Sequence, residues 1–156
     1  MRCAPEFTVF MASERQVKEM QKYCTNAKKL SIMGVDTTFN IGAFYVTFTT
    51  YRKIMLTTKQ GTEPVMIGPI LIHQRKNFNS FFKLSSSILQ ICPEMKSLKV
   101  FGTDGDKNLS DAFEVCFTSA KHILCDVHMQ DNIERKFKEP GVPKKETNAY
   151  KNKYIW

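Results

Sequence analysis

Leu98-Lys99-Val100-Phe101-Gly102-Thr103-Asp104-Gly105-Asp106 is a short apolar run that stops at an acidic turn. It has an upstream counterpart in Leu30-Ser31-Ile32-Met33-Gly34-Val35-Asp36-Thr37-Thr38-Phe39. Each run reads as a buried strand with an aspartate at or just past its end. What lies between them decides the fold. Thr37 to Gly42 is expected to turn the chain. Phe44, Val46 and Phe48 then alternate with Tyr45, Thr47, Thr49 and Tyr51, the period-2 pattern of a half-buried strand. After a turn around Gly61, Val65 to His73 forms a third strand, interrupted by Gly68-Pro69. Proline cannot donate to a ladder, so this strand is expected at a sheet edge. The period then changes: Phe78, Phe81, Phe82, Ser85, Ile88 and Leu89 share one helical face, which makes the phenylalanines core residues rather than a stacking platform. Pro93 stops that helix.

Beyond Asp104, Asn108 can cap a helix carrying Leu109, Ala112, Phe113 and Cys116 on one side. His122 to Cys125 is a fifth apolar strand. Asp126 onward has helical spacing at Met129, Ile133 and Phe137, ended by Pro140, Gly141 and Pro143. At the other end, Met1 to Met11 reads as an extended lead-in, and Ser13 with Gln16 matches a capping box ahead of Val17, Met20 and Cys24. The order is β-β-β-α-β-α-β-α. It predicts an α/β fold with a mixed five-stranded sheet, three strands antiparallel and two parallel, flanked by helices. The strand after the first crossover is expected beside the first strand of the meander and parallel to it. Asp36 and Asp104 then lie on adjacent parallel strands. Residues 1–29 form a lead-in and flanking helix, 30–138 the main domain and 139–156 a basic tail.

The 156 residues suffice for one domain with a core. A formal charge of +8 favours polyanionic partners. Part of that excess is local: Glu134 to Trp156 carries seven Lys or Arg against three Glu. This is either a solvated end or a phosphate-contacting segment. The five cysteines are odd in number and form no Cys-x-x-Cys. No signal peptide is visible and no apolar run is long enough to span a bilayer. The expectation is a reducing compartment, nuclear or cytoplasmic.

Asp36 follows an apolar run, where a carboxylate is costly unless paired, hydrogen-bonded or metal-bound. Asp36 and Asp104 each read either as a turn aspartate or as a metal ligand. Carboxylates on neighbouring strands can hold Mg²⁺, and a third would allow two ions to share phosphodiester chemistry. Asp106 reads as structural, an acid ahead of a helix. Cys125 and His128 have Cys-x-x-His spacing but no second pair to complete a zinc site. His73 and His122 have no legible partners. No phosphate-binding glycine loop and no Ser-His-Asp or Cys-His arrangement occurs.

The succession Val35-Asp36-Thr37-Thr38-Phe39-Asn40, Gly68-Pro69-Ile70-Leu71-Ile72-His73, Gly102-Thr103-Asp104-Gly105-Asp106 and Cys125-Asp126-Val127-His128 with Asn132 resembles the transposase domain of Mutator-like (MULE) DNA transposons, over roughly residues 30 to 138. The resemblance implies an RNase H-like fold and a DDE-type mechanism. Three acids hold two Mg²⁺ or Mn²⁺ ions, water attacks the transposon-end phosphodiester, and the freed 3′-hydroxyl attacks target DNA. Asp36 matches the first catalytic acid and Asp104 the second. Cys125 and His128 match a motif that supports the site. The family's third acid, a glutamate on a later helix, matches none of Glu134, Glu139 and Glu146. The expected partners are transposon-end and target DNA, with homo-oligomerisation open. The domain is expected to be C-terminally incomplete, and the alternative is a non-catalytic nucleic-acid-binding or interaction module.

Overall fold

Ser13 begins the first helix, α1 (Glu14–Cys24), with a full capping box: its hydroxyl accepts from the Gln16 amide while the Gln16 side chain accepts from the Ser13 amide. Val17, Met20 and Cys24 follow at helical spacing and are fully buried. The computed structural model describes residues 6–125 together with 129, 135 and 136; His128, Glu134, Glu139, Glu146 and the tail 139–156 lie outside the described residues. Met1–Ile123 form one compact unit and Leu124–Trp156 a second. The sheet and its helices lie in the first, apart from Leu124, the final residue of the last strand.

Among the described residues the sheet is mixed and has six strands, not five. The additional strand is β1 (Thr8–Met11), within the segment expected to be a lead-in. It pairs antiparallel with β4 (Val65–His73), Thr8 opposite His73 and Met11 opposite Ile70. β2 (Met33–Ile41) and β3 (Phe44–Arg52) form an antiparallel hairpin, and β3 pairs antiparallel with β4. β5 (Val100–Thr103) lies parallel to β2, and β6 (Lys121–Leu124) adds outside it. The expected meander, parallel crossover and outer last strand are present.

Two local expectations change. Thr37 to Gly42 is no turn: β2 runs on to Ile41, and the reversal falls at Gly42, whose φ of 64° suits glycine. Pro69 is not on a simple edge strand. β1 covers only the second half of β4, Ile70 to His73, so Gly68-Pro69 sits just beyond its end, where the β3–β4 register also shifts. The proline therefore occupies a bulge on the uncovered half of the strand. The Gln16 side chain donates through Nε2 to the carbonyls of Ile67 (2.7 Å) and Gly68 (3.0 Å) there, and the Thr49 hydroxyl donates to that of Pro69 (3.0 Å).

Three helices bury one face of the sheet. α1 packs on β3 and β4, α2 (Phe78–Ile91) on β4 and β1, and α3 (Lys107–Cys116) on α2. Phe81, Leu84 and Ile88 of α2 meet Leu109 and Phe113 of α3 over Met33, Leu71 and Phe101. Burying each such side chain contributes about 1.5–3 kcal/mol. Phe82, expected inside, is exposed and stacks on Phe78 with ring centres 5.8 Å apart. The helix-facing side of β3 carries Thr47, Thr49 and Tyr51, all buried. Val46 and Phe48 face the other way and form cross-strand rows, Phe48 with Ile70 and Met11, Val46 with Ile72 and Val9. Asp36 stands at the β2 end of the first row, opposite Phe48.

Candidate metal centre

Asp36 lies inside β2, not in a turn. Strand alternation puts it on the face away from the helices, since its neighbour Val35 is buried against them. It is half-buried, and its carboxylate makes no hydrogen bond or ion pair with the described residues.

Asp104 is the first residue after β5. The parallel register sets Gly34 opposite Gly102. Asp36 lies two residues past Gly34 on β2, and Asp104 two residues past Gly102, just beyond β5. Asp104 also has the turn chemistry its sequence suggested: one carboxylate oxygen accepts from the Asp106 amide at 3.0 Å. The other takes no hydrogen bond from the described residues. Gly105, with φ of 95°, completes the turn. Asp106 caps α3, accepting from the amides of Asn108 (2.9 Å) and Leu109 (3.4 Å). It is thus the cap that Asn108 was expected to be, and its structural reading agrees with this geometry.

Behind the two aspartates, on the helix-facing side, are groups that the sequence did not connect. Thr37, next to Asp36, lies 2.9 Å from the Thr47 hydroxyl, which lies 2.8 Å from Nε2 of His73. His73 is fully buried and its Nδ1 is 2.8 Å from the carbonyl of Arg75. A carbonyl only accepts, so Nδ1 carries the proton and Nε2 accepts from Thr47. Burial pushes the His73 pKa below its ordinary value. Thr103, next to Asp104, is fully buried with its hydroxyl 2.9 Å from Nε2 of His122. His122 stacks on Phe101 at 4.9 Å and directs Nδ1 toward the Glu114 carboxylate, 3.6 Å away. The Thr-Asp and Asp-Thr dipeptides were the only local signal for either network; the histidines join through contacts 19 to 26 residues distant.

Cys125 is half-buried and a free thiol, and its carbonyl accepts from the Met129 amide at 2.9 Å. His128 lies outside the described residues. Cys24, Cys92 and Cys116 are also free; burial raises all three thiols, Cys24 to about 12. Among the described residues no three His, Cys, Asp or Glu side chains cluster to hold a metal ion, and no helix is long and apolar enough to cross a membrane.

The donor set fits one hard divalent cation. Mg²⁺ and Mn²⁺ prefer oxygen ligands and commonly use one or two carboxylates, with water and phosphate oxygens completing the shell. One carboxylate inside β2 and one just past the end of the neighbouring parallel strand β5 are oxygen donors of that kind. A second ion would need a further donor. In comparisons with known proteins, the family model described as the MULE transposase domain matches residues 32–132. No curated protein and no solved structure matches the chain. The match spans β2 through β6 and takes in both aspartates, and the chain belongs to the MULE transposase domain family.

Proposed function

We propose that this domain is the catalytic core of a metal-dependent DNA transposase, with Asp36 and Asp104 as its first two acidic ligands for Mg²⁺ or Mn²⁺. The observation that carries this reading is the parallel β2–β5 pairing of Gly34 with Gly102, two residues before each acid. The Asp36 carboxylate, which has no hydrogen-bond or ion-pair partner among the described residues, supports it. Leaving β1 aside, the strands run β4-β3-β2-β5-β6, three antiparallel and then a parallel crossover, which supports an RNase H-like arrangement. A divalent ion held there would supply Lewis-acid polarisation of the scissile phosphate and make an attacking water more acidic. Asp36 and Asp104 provide the oxygen donors. Cys125 and His128 stand as the supporting pair. The charge of +8 suits a DNA partner bound largely through its phosphates.

Mn²⁺ titration of the full chain by calorimetry tests the site. Asp36→Asn and Asp104→Asn are each expected to lower affinity about tenfold or more. Unchanged affinity in both variants would sink the assignment. A labelled duplex titrated at 50 and 200 mM salt tests the partner: affinity should fall steeply as salt rises. A chain that binds duplex in this manner but binds no Mn²⁺ is the non-catalytic binding module instead.

A further inference from the structure

The turn that carries Asp104 is held from behind by three residues on three different elements. Thr103 ends β5, His122 belongs to β6 and Glu114 to α3. Their hydrogen-bond directions follow from chemistry. The Glu114 carboxylate lies 3.6 Å from Nδ1 of His122, an electrostatic contact longer than a hydrogen bond that favours a proton on that nitrogen. Nε2 is then the acceptor, and the Thr103 hydroxyl donates to it at 2.9 Å. The Thr103 oxygen is left to accept from the Gly105 amide, 3.4 Å away. Asp104 lies between the two residues joined by that last contact. An acid–imidazole–hydroxyl series can also activate a nucleophile, but the Thr103 hydroxyl is fully buried and reaches no substrate.

We propose that Glu114, His122 and Thr103 are positioning residues that fix the orientation of the Asp104 carboxylate for metal binding. The inference rests on the assignment of Asp104 as a ligand. Outer partners of this type orient a ligand whose own side chain is otherwise free to rotate. Asp104 needs such support because it stands past the end of its strand, where no ladder holds it. The Phe101 ring stacked on His122 fixes the imidazole plane, and the Asp106 amide takes one Asp104 oxygen.

The test is Mn²⁺ affinity of the full chain, with the metal-free melting temperature recorded for each variant. Thr103→Val keeps the side-chain shape and removes both hydroxyl contacts; its affinity is expected to fall about tenfold. Thr103→Ser keeps the hydroxyl and is expected to restore wild-type affinity. Glu114→Ala alters a half-exposed side chain, so it folds even if Thr103→Val does not, and it should show a smaller loss in the same direction. A purely structural role would lower the metal-free melting temperature and leave affinity of the folded protein unchanged. If Asp104→Asn abolishes binding while Thr103→Val and Glu114→Ala keep full affinity, the positioning role is overturned and the ligand assignment stands. If the wild-type chain binds no Mn²⁺, both are overturned.

Discussion

Thr47→Val isolates the energy of the buried network behind Asp36. Thr47 is fully buried, and its hydroxyl donates to His73 Nε2 (2.8 Å) and accepts from Thr37 (2.9 Å). Valine keeps the branched shape and deletes both bonds. Thr37 is only half-buried and can recover part of its loss with water. Nε2 of His73 cannot, because the ring is fully buried and Nδ1 is committed to the Arg75 carbonyl. A stranded buried acceptor costs about 1–3 kcal/mol, and the lost Thr37 bond adds less than about 1 kcal/mol. Valine's strand preference offsets a few tenths. The net expectation is about 2 kcal/mol of destabilisation, a fall of roughly 6–8 °C in melting temperature for a domain of this size. Urea and thermal unfolding measure it. Thr47→Ser, which loses a methyl group and keeps the hydroxyl, should cost about 1 kcal/mol. The reasoning fails if Thr47→Val lies within about 0.5 kcal/mol of wild type or is more stable than Thr47→Ser.

The same network gives a pH dependence. Burial lowers the His73 pKa, with Lys76 adding repulsion and Glu6 opposing it. The unfolded chain has the ordinary value of about 6.5 and takes up a proton before the native state does. Stability is therefore full above that pH and is lost as pH falls from about 6.5 toward the native pKa. His73→Gln should flatten the change in unfolding free energy between pH 7.5 and 5, and an equal slope in both proteins would contradict it. Ser80 is buried with a hydroxyl that has no partner among the described residues, so Ser80→Ala should be neutral or raise stability by up to about 1 kcal/mol in urea unfolding. Phe113 is fully buried between Phe101 and Phe117, and Phe113→Ala should cost about 3–5 kcal/mol, measurable as a lower urea midpoint. Cys24 is fully buried with its thiol raised to about 12, so it should resist alkylation in the native state and react fully in urea; rapid native labelling would contradict its placement.

The helices and the central strands were legible because each has a pattern of its own. The capping box at Ser13, the apolar face of α2 and the change of period after His73 are local facts. The parallel β2–β5 pair followed from connectivity, since a strand returning after a helix pairs most simply with the first strand of the meander. What failed was set by distant partners. β1 is four residues long, too short for periodicity to register, and is a strand because β4 offers it an edge. Asp36-Thr37-Thr38 resembled a turn, yet threonine also favours strands and the pairing with β3 decided the matter. The alternation in β3 was correct in period, but hydrophobicity alone could not assign its buried side. The threonines go inside because His73 and the Pro69 carbonyl give them partners.

That inversion bears on the acid pair. Thr37 follows Asp36 and Thr103 precedes Asp104, so strand alternation sends each threonine to the opposite face from its aspartate. Each threonine connects by hydrogen bonding to a histidine whose other nitrogen faces an oxygen: Arg75 carbonyl in one case, Glu114 carboxylate in the other. A slip of one residue in a strand pair moves every side chain to the other face. A slip of β2 on β3 would take Thr37 away from Thr47, and a slip of β3 on β4 would strand the buried imidazole. An apolar core tolerates such slips better, because one branched hydrophobe replaces another at modest cost. The polar networks thus penalise alternative registers on both sides of the β2–β5 pair by about the cost of an unsatisfied buried group. The observed β2–β3 and β3–β4 registers satisfy the first network, and the parallel pair of Gly34 with Gly102 stands two residues before each acid.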